Sequence, residues 1–386
     1  MSNRIYLPSS RSNIDSFYVM DLLYNANKLE ANGKKIYHLE LGEPQPKTPR
    51  KVLDEASRLS KLELPGYTPS NGIESLRSKI SEYYNIEYNL KIDKDQIFIT
   101  TGSSGAFLLT FLSIFDAGSK VGIFNPVYPA YRNILKCLDI EVVELDPKLN
   151  MINKINIKSM ENQKIDGLII SNPNNPNGQT FSNDELKYIY DYCEKKKIRL
   201  ISDEIYHKIE YEKNVSSILN IGMNAIVVNS FSKYFCMPGW RLGWVIIPEF
   251  LKQNFLKLSQ NLFISSGNIA QYSALKVFEC KDDLKTLVDE YHKTRNFIYK
   301  ILKEVAVIDF EVPKGAFYYY LDISKTGMNS SKFVDKLMHD TGVVLTPGKD
   351  FDKSHGEKTV RLSFSSKSEI VLEAVELLYK WLRKNY

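Results

Sequence analysis

The feature that most restricts this chain is an alternation, from about residue 96 onward, of short Ile- and Val-rich runs with helix-length segments. Gln96–Thr100, Lys120–Phe124, Asp166–Ser171, Ile198–Ser202 and Ala225–Asn229 read as strands, and helices are expected from Ser103, near Val127 and from Ser182. Runs that are apolar on both faces must be covered on both faces, which argues for a mostly parallel sheet between layers of helices. At 386 residues the chain suits two domains or one large one. After about residue 285 the pattern changes. A long helix through Tyr291 and Ile301 precedes strands near Phe317–Leu321 and Thr359–Phe364 and a terminal helix. The helix expected over Ser16–Asn32, stopped by Gly33, is assigned to the same unit because the large sheet starts later. The expected organisation is a large α/β domain over 45–285 and a smaller, discontinuous α+β domain from 1–44 and 286–386.

Helix starts are marked locally. Thr48-Pro49 reads as an N-cap followed by proline at the first helical position. Ser182 with Glu185 predicts a capping box, and Phe181 with Leu186 a hydrophobic staple. The last helix is expected to open at Ser366 with Glu369, with Ile370, Ala374, Leu377, Leu378 and Trp381 along one stripe.

Composition removes whole classes of function. With 43% hydrophobic and 25% charged residues the chain is not disordered or fibrous. Its net charge, 51 − 46 = +5, includes no run of five like charges and gives no basis for nucleic-acid binding. Lys195–Lys197 reads as the solvated end of a helix. The longest apolar stretch, Ala106–Phe115, is ten residues, against about 18 for a membrane span. Met1–Pro8 has no apolar core of signal-peptide length. Cys137, Cys193, Cys236 and Cys280 lack disulfide or metal spacing, so reduced thiols in a cytoplasmic protein are expected, with no metal. The sequons at Asn214 and Asn329 then carry no weight.

Chemistry gathers at the strand ends. Thr101-Gly102-Ser103-Ser104-Gly105 opens a buried helix, where free N–H groups and two hydroxyls suit a phosphate; the glycines equally suit tight strand–helix packing. A third glycine and a following strand-end acid are missing, which disfavours a dinucleotide fingerprint. Ser171-Asn-Pro-Asn-Asn-Pro-Asn-Gly178 builds a rigid turn at the edge where open α/β sheets place ligands. Asp203 ends a further strand, three residues before Tyr206; it either caps a turn or needs a cationic partner or ligand. Lys233 follows another strand among aromatics, a setting that costs free energy unless the amine is neutral or bonded, and Schiff-base lysines occupy such settings. Arg241 adds a fork for an oxyanion.

Taken together these stretches resemble the class I/II aminotransferases, which are fold-type I pyridoxal 5′-phosphate enzymes, over essentially the whole chain. The resemblance rests on Leu41-Gly-Glu-Pro44, Gly66-Tyr-Thr68, the Gly102 helix start, Asn174-Asn-Pro-Asn-Gly178, Asp203-Glu-Ile-Tyr206, Ser230-Phe-Ser-Lys233, Gly239-Trp-Arg-Leu-Gly243 and Val360-Arg-Leu-Ser-Phe364. It implies that Lys233 carries the Schiff base and that Asp203 faces the pyridine nitrogen. Asn175 and Tyr206 should bond the 3′-oxygen, and Tyr128 should stack on the ring. Ser103, Ser104, Ser230 and Arg241 should hold the phosphate, with Tyr67 reaching over from a partner in a homodimer. Arg361 should grip the substrate α-carboxylate, helped by Gly42 and Asn175. The implied reaction is ping-pong transfer of an amino group between an L-amino acid and a 2-oxo acid, with Lys233 as general base.

Departures bear on substrate. Some aspartate-specific members of the family carry lysine at the position of Ser104, so its absence weakens an aspartate assignment. Asn177 stands where the family has threonine. Ile14, Phe17 and Tyr18 lie in a segment that often lines the side-chain pocket, pointing to neutral aliphatic or aromatic donors. Rival readings include a β-eliminating C–S lyase on the same fold and a binding module with a vestigial cofactor site. A penicillin-recognising serine enzyme is a third, suggested by Ser230-Phe-Ser-Lys233 and Lys325-Thr-Gly327; it lacks the middle S-D-N element.

Overall fold

The computed structural model describes residues 6–16, 18–45, 47–63, 66–145 and 163–386; Phe17 lies outside them. Thirteen strands among these residues are β1 (Tyr37–His38), β2 (Ile97–Thr100), β3 (Lys120–Phe124), β4 (Glu141–Leu145), β5 (Gly167–Ser171), β6 (Arg199–Asp203), β7 (Ile226–Ser230), β8 (Gly243–Ile246), β9 (Asp309–Phe310), β10 (Tyr318–Asp322), β11 (Val343–Val344), β12 (Thr346–Pro347) and β13 (Thr359–Ser363). Seven of them form the central sheet in the order β2-β8-β7-β6-β5-β3-β4. All neighbours run parallel except β8, which is antiparallel to both β2 and β7. The two faces are covered separately. Leu168, Ile170, Leu200 and Val227 pack into one core, while Ile169, Ile201, Ile226 and Val228 pack into another with the Gly102–Ile114 helix. Alternate residues of each strand thus enter opposite cores, as the period-two geometry of a strand requires.

A second, antiparallel sheet has the order β12-β13-β10-β9. Its core takes in Leu22 of the Tyr18–Ala31 helix, Ile298 of the Lys281–Leu302 helix, and Ala374 and Leu378 of the terminal helix. The N-terminal segment is fastened to this unit by β1, which pairs in parallel with β11. The first helix does end before Gly33, whose φ of +86° lies where side chains are disfavoured.

The Ser182–Glu185 capping box is present, and Phe181 and Leu186 share one core. Two other start signals are corrected. Thr48 is not a cap: Pro49 occupies that position, and Thr48 Oγ1 instead donates to the Cys236 carbonyl at 3.0 Å and accepts from Trp240 Nε1 at 2.9 Å. The last helix spans Ser368–Asn385 behind Lys367, with no side-chain cap. Its buried stripe is Val371, Ala374, Val375, Leu378, Trp381 and Leu382; Ile370 is exposed and Leu377 only partly buried. At about 100° per residue these two fall at the edge of the packed face, which is centred towards Val371 and Leu378. The helix expected near Val127 begins at Ala130, and the Val127 N–H bonds the Phe351 carbonyl at 3.0 Å.

Candidate active site

The C-terminal ends of the parallel strands set the site. Gly243, which opens β8, is paired with Thr100 on one side and Ser230 on the other, so two strand ends and one strand start meet at one point. The fit is tight: a Cβ on Gly243 would lie 2.8 Å from the Gly102 carbonyl carbon and 3.0 Å from the Ser103 nitrogen. Gly102, at φ +73°, starts the buried helix beneath the Arg241 guanidinium, 2.5 Å from where a Cβ would place itself. Ser230 Oγ donates to the Leu242 carbonyl at 3.0 Å and accepts from the Ser232 N–H at 3.1 Å. Helix N–H groups, hydroxyls and a guanidinium thus converge on a pocket suited to a phosphate dianion.

Asp203 lies one strand over, in register with Ser171. It is buried, its carboxylate accepts from the Tyr131 hydroxyl and from the Ile205 N–H at 3.1 Å, and it has no ion-pair partner among the described residues. Burial pushes its pKa up to about 6, against the pull of those two hydrogen bonds and of Lys233. Lys233 is half-buried, and its Nζ donates to the Gly42 carbonyl at 2.6 Å. Burial lowers its pKa to about 8, helped by the positive charges of Arg361 and Arg241 and opposed by Glu43 and Asp203. Tyr128 stands edge-on to Tyr131 at 5.6 Å, its hydroxyl pushed up to about 12 chiefly by burial.

The second sheet supplies the other wall. Arg361, in the middle of β13, is buried over the rings of Tyr318 (4.4 Å) and Phe351 (4.7 Å). Its Nη1 donates to Asn175 Oδ1 at 3.0 Å, and its Nη2 to the Glu40 carbonyl at 2.5 Å. Its buried Nε finds no partner among the described residues, leaving donor capacity for a ligand. Tyr206 and Tyr318 share a hydroxyl–hydroxyl hydrogen bond of 2.8 Å. The Tyr318 hydroxyl fills the space above Gly42, where a Cβ would come within 2.0 Å of it.

The family model described as "Aminotransferase class I and II" matches residues 34–378. The chain belongs to the class I and II aminotransferases. It is 35% identical over 388 residues to the valine–pyruvate aminotransferase of Mycobacterium tuberculosis, covering 99% of each chain. Over 382 residues it is 37% identical to the (5-formylfuran-3-yl)methyl phosphate transaminase of Methanocaldococcus jannaschii, covering 96% of this chain and 98% of the other. A crystal structure of an aminotransferase from Mycobacterium tuberculosis superposes with a TM-score of 0.95 at 34% identity, covering 98% of this chain and all of the other. Members of this family use pyridoxal 5′-phosphate and act on amino acids and 2-oxo acids. The unpartnered Arg361 Nε, the buried Asp203 without a counter-cation and the phosphate-shaped helix start fit that cofactor and an amino-acid carboxylate.

This aminotransferase brings Gly42, Asn175, Asp203, Tyr206, Lys233 and Arg361 around one space, with the helix start at Ser103, Ser230 and Arg241 at its phosphate-shaped end. Ser104 is exposed in the first helical turn, and Tyr67 is 81% exposed. Four contributors escaped the sequence reading: Tyr131 on Asp203, Tyr318 on Tyr206 and Arg361, Thr346 on Arg361 at 3.3 Å, and the Glu40 carbonyl. Asn177, given little weight, braces the turn through its Oδ1, which accepts from Asn174 Nδ2 at 3.0 Å and from the Gln179 N–H at 3.1 Å.

The raised pKa of Asp203 has a stability consequence. Between its ordinary value of 3.8 and about 6 the folded, cofactor-free protein holds a proton that the unfolded chain releases. The stability this group contributes is therefore present below the lower value and lost as pH rises through the upper one. Cofactor-free Asp203→Asn should melt above wild type at pH 7, with the gap closing towards pH 4. A lower melting temperature at pH 7 would contradict the burial argument.

Proposed function

We propose that this aminotransferase moves the amino group of a neutral aliphatic or aromatic L-amino acid to a 2-oxo acid in a ping-pong sequence, with Lys233 as the proton-transferring residue. The observation that carries the reading is that Lys233 and Arg361, coming from the two different sheets, both bond the backbone of residues 40–42. Pyridoxal 5′-phosphate, when bound, supplies an aldehyde that captures the amine and a ring that accepts the electrons left at the α-carbon. Ser103, Ser104, Ser230 and Arg241 would hold its phosphate. Tyr128 would lie against its ring, Asn175 and Tyr206 would bond its 3′-oxygen, and Asp203 would keep its ring nitrogen protonated. Arg361, with Gly42 and Asn175, would orient the α-carboxylate. Lys233 Nζ, with its pKa brought to about 8, is uncharged in a useful fraction near neutral pH. It would take the proton from the α-carbon of the donor and return it on the cofactor side.

A neutral donor is supported by the absence of charge at Ser104 and by the similarity to the valine–pyruvate aminotransferase. Ile14 is exposed and the Tyr18 ring lies 4.4 Å from Lys349 Nζ, so neither adds support for an apolar side-chain pocket. We also read residues 45–285 as the large domain and 1–44 with 286–386 as the small one. The four free cysteine thiols support a cytoplasmic location.

The deciding experiment exposes the cofactor-loaded protein to a panel of amino acids, scored by loss of the aldehyde-form absorbance. Valine, leucine or phenylalanine should convert it faster than aspartate, and Lys233→Ala should lose the great majority of this conversion. Fastest conversion by aspartate would overturn the neutral assignment. Pyruvate and ammonia released from cystathionine as the main reaction would point to a C–S lyase.

Each charge-assisted bond from Arg361 to a carboxylate is worth about 1.5–3 kcal/mol. Losing a bidentate pair should cost roughly two to four decades in kcat/KM, at about 1.4 kcal/mol per decade. Arg361→Lys should recover part of that, since it keeps the charge and loses the fork. A merely structural arginine would instead lower the melting temperature and leave efficiency per folded molecule near wild type.

We further propose a homodimer in which Tyr67 completes the partner's phosphate site. Exposed Tyr67, Leu262, Ile264 and Ile269 support this reading. They sit on segments tied together by Asn268 Nδ2 to the Gly66 carbonyl (3.1 Å) and by Gln271 Nε2 to Thr68 Oγ1 (2.9 Å). Such an apolar patch on one surface asks for a partner. Sedimentation should show a dimer, with Tyr67→Ala weakening cofactor retention. A fully active monomer would refute it.

A further inference from the structure

Residues 39–42 form a segment, bent at Glu40, whose carbonyls are used one after another. The Leu39 carbonyl accepts from the Ser363 N–H at 2.9 Å, that of Glu40 from Arg361 Nη2 and from Thr346 Oγ1 at 3.0 Å, that of Leu41 from Ser365 Oγ at 3.3 Å, and that of Gly42 from Lys233 Nζ. Two of the site's cations therefore take their position from this one stretch of backbone. The Glu40 side chain and the Glu40 carbonyl hang from one Cα, so a buried bond that holds the side chain also restrains the Cα from which that carbonyl is aimed.

That side chain is fully buried, which is costly for a carboxylate without strong partners. Its Oε1 accepts from His38 Nδ1 at 2.7 Å, and its Oε2 has no partner among the described residues. His38 is the group that compensates it. Glu30, from the Tyr18–Ala31 helix, faces the other ring nitrogen of His38 at 3.5 Å. Lys35 and Glu373 satisfy each other nearby, at 2.7 Å. The hydrogen bond from His38 to Glu40 also raises the His38 pKa, the sign expected when an imidazolium faces a carboxylate.

We infer that His38 and Glu40 are positioning residues: their buried hydrogen bond locks the 40–42 backbone so that the Glu40 carbonyl aims Arg361 at the substrate carboxylate. This rests on the reading of Arg361 as the carboxylate clamp. Neither side chain touches substrate or cofactor, so the effect passes through Arg361. Misplacing an orienting group by about 1 Å costs on the order of 100-fold.

The test uses cofactor-loaded protein and whichever of L-valine and L-phenylalanine wild type turns over faster. His38→Ala should raise KM for that donor by roughly 10- to 100-fold with cofactor content near wild type, and its melting temperature should fall because the buried Glu40 carboxylate loses its side-chain partner. His38→Asn, which keeps an N–H donor near the Nδ1 position, should recover most of the loss. Glu40→Gln keeps the shape and an acceptor while losing the charge, and should raise KM by a few fold, since charge-assisted bonds are about twice as strong as neutral ones. An unchanged KM in His38→Ala overturns the inference, as does a loss that Asn does not rescue. If His38→Ala is recovered unfolded, Glu40→Gln decides, and wild-type KM there is equally fatal. Arg361→Ala serves as control. If it too leaves KM unchanged, the carboxylate-clamp reading has failed; if it alone raises KM, only the His38–Glu40 inference has.

Discussion

A half-buried lysine amine in the field of two arginines is the constraint on which the rest of this site depends. Desolvation and the repulsion of Arg361 and Arg241 both favour the neutral form of Lys233, while Glu43 and Asp203 favour the charged one. The balance falls near pH 8, where an amine is both available and basic enough to take a proton. Asp203 and Glu43 act on Lys233 against Arg361 and Arg241, and Asp350 acts on Arg361 as well. Arg241 at the helix start and Arg361 in the second sheet are the two cations at which the proposed phosphate and carboxylate would sit.

Strand register turns that requirement into geometry. Asp203 ends β6 in register with Ser171, so the carboxylate and the asparagine turn share one edge. The phosphate-shaped end needs the antiparallel β8, because only a strand running the other way brings Gly243 between the ends of β2 and β7. A side chain at Gly243 would meet backbone on two sides, and backbone cannot swing aside. Arg241, two residues earlier, is delivered to Gly102 by the same reversal.

Much of this was legible in sequence because it is local. β3 falls on its expected bounds, and β5, β6 and β7 lie within one residue of theirs, since an apolar run between breakers leaves little choice of register. The capping box was legible because both members lie within one turn. Thr48 misled for the converse reason: a cap competes with tertiary partners, and Cys236 and Trp240, about 190 residues away, took the Thr48 hydroxyl. Tyr131 and Tyr318 were missed because they act on Asp203 and Tyr206 from 72 and 112 residues away, and a tyrosine in an apolar helix or strand reads as core. The role of the Glu40 carbonyl has no sequence signal, since every residue carries one.

The two sheets divide the chemistry, and Tyr318 is where the division is bridged. Its ring lies beneath Arg361, its hydroxyl bonds Tyr206 from the central sheet's side, and its tip occupies the space over Gly42. Gly42 is glycine for that reason, since any Cβ would displace the tyrosine and with it both contacts. The proposed carboxylate site is consequently not free to drift relative to Tyr206. A shift of the small sheet that moved Arg361 would have to break a buried hydroxyl–hydroxyl bond and a cation–ring contact together, and buried groups left unpaired cost more than the bonds themselves return. The spacing between the carboxylate end and the Lys233 end is therefore set by side-chain packing across the seam, whereas the spacing between Lys233 and the phosphate-shaped end is set by strand pairing within a single sheet.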